Sequence, residues 1–140
     1  MEQGERVMTD QGACAASPLA DKAIALLDAL RTGDRQAIVS LFHQDARWWV
    51  LGRGYKAVNE LIDITCEMAK SSQSRPMTIL GTTSEGSRVA IEAQGHVVLP
   101  DGKHYDNTYH FLFLFADDQI IEGREYLDTE LVSKTFEGRF

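Results

Sequence analysis

KHYDNTYHFLFLFADDQIIEGREYLD, residues 103–128, decides how the rest of this chain is read. Asn107, Tyr109, Phe111, Phe113 and Phe115 share one parity along it, and Thr108, His110, Leu112 and Leu114 share the other. Successive side chains of a strand point to opposite faces, so an aromatic run of period 2 predicts a β-strand with one strongly apolar side. Asp117-Asp118-Gln119 interrupts the run as a polar corner, and Ile120–Asp128 returns as a second strand.

Working outward toward the N-terminus, Pro100-Asp101-Gly102 is a turn, because proline presets φ and glycine takes a positive φ without cost. Arg88–Leu99 alternates and predicts a strand, Glu85-Gly86-Ser87 a turn, and Met77–Thr83 another strand entered at Pro76. Ser71–Ser74 is loop. Val58, Leu61, Ile62, Thr65 and Met68 recur at helical spacing, which predicts a helix over Tyr55–Lys70. Before it come a strand at 45–52 and a Gly-rich bend at Gly52-Arg53-Gly54. Trp48 and Trp49 are adjacent in that strand and must face opposite sides, one toward a pocket and the other toward a helix or subunit contact.

Ser17-Pro18 predicts an N-cap with proline at the first helical position. Ala20, Ala23, Ile24, Leu27 and Leu30 make one apolar stripe, and Gly33 stops that helix. Asp34 caps a second, shorter helix carrying Ile38, Leu41 and Phe42, with His43 at its C-terminal end, where a positive charge suits the helix dipole. Residues 1–16 are read as a mobile tail, and Thr129–Phe136 as a short helical tail or a loose segment. The order ααβαββββ defines one α+β domain over 17–140, with helices laid on one face of a strongly curved antiparallel sheet.

Composition narrows the function classes. The net charge of −7 argues against nucleic acid or an anionic membrane as partner. No apolar run approaches the ~18 residues of a membrane span. Cys14 and Cys66 have neither a CxxC nor a Cys/His spacing and read as free thiols of a reducing compartment. No two histidines have metal-ligand spacing with a carboxylate, so no metal and no cofactor is expected. The N-terminus lacks the apolar core of a secretory signal, and the expected location is cytoplasmic.

The pattern LRTGDRQAIVSLFHQDA (30–46), followed by NTYHFLFLFADDQIIEGREYLDT (107–129), resembles the NTF2-like, or cystatin-like α+β, superfamily, and within it the SnoaL-like proteins. The resemblance implies a cone: a curved sheet and three helices from the N-terminal half enclosing a pocket. It implies a homodimer, with the apolar Leu112 and Leu114 on the outer parity covered by a second subunit. It also implies a small, largely apolar or aromatic ligand, though many chemistries share the fold. Within the cone, parity sends Asn107, Tyr109, Phe111 and Phe113 inward, then Ile121, Gly123, Glu125 and Leu127 from the next strand. Trp48 and Val50 near the mouth, and Glu92 with Gln94 on the preceding strand, complete the expected lining.

The chemistries of the superfamily can be laid on these positions. The carboxylate base of a ketosteroid isomerase falls on Val50, with the donors on Leu26 and Tyr109, and Val50 cannot accept a proton. The Asp-Arg-Asp arrangement of limonene-type epoxide hydrolases falls on Glu125 and on Glu92-x-Gln94, without the bridging arginine. SnoaL-type cyclases use a late-strand acid with a histidine nearby, which casts Glu125 with His110 or His96 as general acid/base. A carboxyl in an apolar pocket has its pKa raised toward neutrality, which suits proton transfer. Tyr109 and Asn107 would then orient the ligand. The sequence therefore predicts an acid/base isomerase or cyclase, or alternatively a non-catalytic ligand-binding or dimerisation module in which Glu125 is a paired carboxylate.

Overall fold

A computed structural model of the chain describes residues 17–136. Cys14 and the tail read over 1–16 lie outside the described residues. Helix α1 (Pro18–Thr32) begins where Ser17 accepts a hydrogen bond from the Ala20 amide, and it ends at Gly33 with φ 74°. A Cβ at Gly33 would also press on Ala69 of α3, so glycine there permits both the left-handed cap and the close approach of two helices. Asp34 caps α2 (Arg35–Leu41) through the Ala37 amide.

The chain then runs β1 (Phe42–Val50), β2 (Gly54–Ala57), α3 (Val58–Ser71), β3 (Met77–Glu85), β4 (Arg88–Val98), β5 (His104–Ala116), β6 (Gln119–Leu127) and α4 (Thr129–Phe136). The six strands form one curved sheet in the order β2-β1-β6-β5-β4-β3. The β3-β4-β5-β6 links are antiparallel as expected, but β1 lies parallel to β6, so the sheet is mixed. That pairing joins segments some 75 residues apart, and no local pattern encodes it.

Further details differ from the sequence reading: Phe42 opens β1 instead of closing α2, and the strand read at 45–52 spans Phe42–Val50. Residues 54–57 form a short edge strand, and α3 starts at Val58 instead of Tyr55. Ala57 at its N-cap offers no side-chain oxygen, so nothing in the sequence marks that boundary. His43 belongs to β1, where its Nδ1 accepts from the Asp45 amide at 3.0 Å, and it serves no helix end. The β5–β6 corner is a two-residue turn with Asp117 and Asp118 at φ 52° and 61°, the geometry that matches the twist of a hairpin. Just after it a bulge pairs Phe115 with Ile120 and Leu114 with Glu122. Ile121 is the extra residue, and Ile120 takes the fully buried place expected for Ile121.

The core lies between the concave sheet face and α1–α3. Its largest member is Trp48, edge-on to Phe42 and tilted against Phe111 and Phe113, with centroids 6.1–6.4 Å apart. The indole lies over Gly123 of β6, where an added Cβ would overlap its six-membered ring. Gly123 is in this strand because nothing larger leaves room for Trp48. Trp49 points to the other face and packs on Tyr126, centroids 5.2 Å apart. A smaller cluster of Val97, Leu99, Tyr105, Val132 and Phe136 fastens α4 across the open end of the cone. Among the described residues no helix is long and apolar enough to cross a membrane.

Candidate functional site

Strand parity and the curvature of the sheet leave a cavity of about 160 Å³ between its concave face, α3 and α4, lined among others by Val50, Leu61, Met68, Tyr109, Glu125 and Phe136. A second cavity of about 110 Å³ shares Leu61, Thr65, Arg75, Val97, Tyr109 and Glu125 with it and extends to Trp48, Phe111 and Arg31. Together they form a small chamber of mainly apolar surface, into which the cations Arg31, Arg53, Lys56 and Arg75, two phenols and one carboxyl also enter, a form that suits a small-molecule site.

Glu125 is the one carboxylate among the residues lining either space. On β6 it pairs with Val50 on one side and Phe111 on the other, so its side chain rises between two apolar neighbours. Trp48 Nε1 donates to its Oε1 at 2.9 Å. The residue is half-buried and lines both cavities. Burial raises the Glu125 pKa; the Trp48 hydrogen bond and the more distant Lys56 ammonium oppose the rise without cancelling it. The group therefore holds its proton to higher pH than an ordinary glutamate.

The phenols beside it are neutral donors. Burial pushes the Tyr109 hydroxyl well up and the Tyr105 hydroxyl up. Tyr109 Oη donates to Tyr105 Oη at 3.5 Å, and Asn107 Nδ2 donates to the same oxygen at 2.8 Å. The rings of Tyr109, Phe111 and Phe113 stack along β5.

The other expected site residues separate clearly. Trp48, Val50, Tyr109 and Phe111 line the chamber, whereas Phe113 is fully buried in the core behind it. Asn107 is buried but has no capacity left for a ligand. Its amide also donates to the Asp128 carbonyl, and its Oδ1 accepts from the Thr108 and Asp128 amides, so it ties β5 to the start of α4. Glu92 and Gln94 do not reach the chamber, because β4 turns Ile91, Ala93, Gly95 and Val97 inward and leaves Glu92 exposed opposite His110. His110 is on that same outer face and stands away from Glu125, as does His96, which is 3.5 Å from Asp106.

Sequence reading missed the cations of the chamber, Arg31, Arg53, Lys56 and Arg75, and the phenol Tyr105. Lys56 belongs to the unrecognised β2. Arg75 sits in the α3–β3 loop, where no periodicity assigns a direction. Its Nη1 donates to the carbonyls of Leu30, Arg31 and Thr65 at 3.0–3.5 Å, bridging the end of α1 to α3. Among the described residues no three His, Cys, Asp or Glu side chains converge to hold a metal.

The curved mixed sheet closed by helices is the architecture of the NTF2-like class of α+β proteins. Within it, the sequence pattern of the SnoaL-like domain matches residues 23–123, and the chain belongs to that family. The fold is similar to an LEH-like epoxide hydrolase from M. tuberculosis (15% identity, 86% of this chain and 97% of that one, TM-score 0.70). It is also similar to AclR, a putative hydroxylase from Streptomyces galilaeus (12%, 85% and 95%, TM-score 0.71), and to an NTF2-like protein of unknown function from Burkholderia pseudomallei (14%, 85% and 97%, TM-score 0.71). At these identities the likeness concerns the fold alone. No curated protein matches the sequence significantly.

Proposed function

We propose that the chamber binds a small, largely apolar molecule and that Glu125 exchanges a proton with it, in a cofactor-independent isomerisation or cyclisation. The observation that carries this reading is a carboxyl of raised pKa, oriented by Trp48, as the one acid of the cavity. Such a group is protonated closer to neutral pH than a surface glutamate and can give and retake a proton without a metal. Tyr109 supplies a neutral hydroxyl to orient a ligand oxygen.

Two related chemistries find less support. Val50 stands where a ketosteroid isomerase carries its base. The inward residues of β4, Val89, Ile91, Ala93, Gly95 and Val97, carry no ionisable group, so they supply neither the arginine nor the second acid of an epoxide hydrolase. The test is turnover of polyketide-type and enone substrates by wild-type protein and Glu125→Gln. The reading predicts that the variant keeps its fold and its ligand affinity but loses about 100-fold or more in kcat. Undiminished kcat in the variant would remove it.

A second reading, a ligand-binding or dimerisation module, draws support from the outer sheet face. There Leu112, Leu114, Trp49 and Tyr126 are each only partly exposed. We propose a cytoplasmic homodimer formed across this face; a single species at monomer mass in light scattering at micromolar concentration would refute it.

A further inference from the structure

Arg75 is a cation whose placement the reading above does not use. Its guanidinium lines both parts of the chamber. The three carbonyls it reaches through Nη1 carry only partial charge, and Nε is buried without any hydrogen-bond partner. Among the described residues no carboxylate lies within ion-pair distance of it. Arg31, the other guanidinium on the smaller cavity, is matched by Asp28 at 2.9 Å. Arg31 and Arg75 thus both line the smaller cavity, and among the described residues only Arg31 has a carboxylate, Asp28, in ion-pair contact.

Desolvating a charge is costly unless an opposite charge or several hydrogen bonds compensate. Burial lowers the Arg75 pKa, which fits a site lacking its counter-charge. Glu125 does not supply one, because burial favours its neutral form and the interactions opposing that come from Trp48 and Lys56. The chamber thus holds one protonatable acid and, among its lining cations, the half-buried Arg75, together with the apolar Phe111, Trp48 and Leu61.

We propose that the ligand carries one anionic oxygen, a carboxylate or an enolate, and that Arg75 receives it while the apolar rings lie against Phe111 and Trp48. Resting on the reading of the chamber as a ligand site, this narrows its substrates to acidic ring compounds on the scale of one or two fused rings. Arg75 is thus a specificity-determining contact, distinct from the acid that moves the proton. Charge-assisted bonds to a guanidinium are roughly twice as strong as neutral ones, so the anion should be preferred by about tenfold.

The probes are 2-naphthoate and its uncharged near-isostere 2-naphthamide, titrated calorimetrically into the full chain at pH 8. Wild-type protein should bind naphthoate about tenfold more tightly than naphthamide. Arg75→Gln should bring the two affinities together by weakening naphthoate alone, and Lys56→Gln should keep the preference. Since Arg75 also joins α1 to α3, Arg75→Lys and the wild-type Arg75 side-chain NMR signal give independent readouts. The lysine variant should lose about threefold or more of the preference, and the signal should move with naphthoate and stay put with naphthamide. Equal affinities in the wild type, or a preference lost in Lys56→Gln and kept in Arg75→Lys, would overturn the assignment while leaving the chamber a ligand site. Failure of both probes to bind at about 1 mM, some 4 kcal/mol of affinity, would overturn the assignment and the ligand-site reading together.

Discussion

Glu122 and Glu125 stand three residues apart on β6, on opposite faces of the sheet, and their surroundings push them in opposite directions. Glu122 is on the outer side, 5% exposed beneath a layer of polar side chains. Burial alone would raise its pKa, but Arg124 Nε at 2.7 Å, Arg47 Nε at 3.1 Å and Tyr55 Oη at 3.1 Å together hold it below the ordinary value. Glu125 has one neutral indole donor and, among the described residues, no ion-pair contact, and burial raises its pKa against the pull of Trp48 and Lys56. The contrast teaches that burial does not decide a carboxyl's role; the number and charge of its donors do. One strand carries both a carboxylate held ionised to join three strands and a carboxyl held toward its neutral form against the chamber.

The largest effect should come from the residue between them. Gly123→Ala would drive a methyl into the Trp48 ring, displacing the donor to Glu125 and the centre of the core, and should cost about 3 kcal/mol in urea unfolding. A loss below about 1 kcal/mol would mean that the indole has room to move and does not fix Glu125.

Glu122→Gln should follow, at about 1–2 kcal/mol near neutral pH, since it weakens three charge-assisted or polar hydrogen bonds. Its folded pKa is depressed, so the stability it contributes is present above the unfolded carboxylate value and is lost as pH falls through the folded one. The difference between variant and wild type should accordingly shrink in acid. A gap independent of pH would show that packing, and not charge, holds that corner.

Glu125→Gln should show the smallest effect and the reverse pH dependence. Because the folded pKa is raised, the neutral carboxyl's contribution is fully present below the unfolded value and is lost as pH rises through the folded one. The glutamine variant, which can still accept from Trp48, should equal wild type in acid and exceed it in urea midpoint above neutral pH. A variant less stable at every pH would place Glu125 among the structural carboxylates.

How much of this was legible in the sequence differs by region. The aromatic alternation of β5, the caps of α1 and α2 and the parity that turns Glu125 inward are local, and the structure agrees with them. So was the alternation of Val89, Ile91, Ala93 and Val97, which turns Glu92 and Gln94 outward; laying a family motif over β4 hid that plain signal. His110 has the opposite parity to Tyr109, and its outer placement follows from period 2 alone. The bulge at Ile121, the uncapped start of α3 and the parallel β1–β6 pairing depend on partners distant in sequence. Arg75 belongs to a loop, and only the packing of α1 against α3 gives its guanidinium a direction.

The most direct test of the central claim is a carboxyl-carbon NMR titration that follows Glu122 and Glu125 in one sample. The account predicts that Glu125 titrates above, and Glu122 below, the model glutamate value near 4.3, with Glu125 alone responding to a ligand in the chamber. An ordinary or lowered Glu125 pKa, unmoved by every ligand, would contradict it and leave the two carboxylates alike in kind.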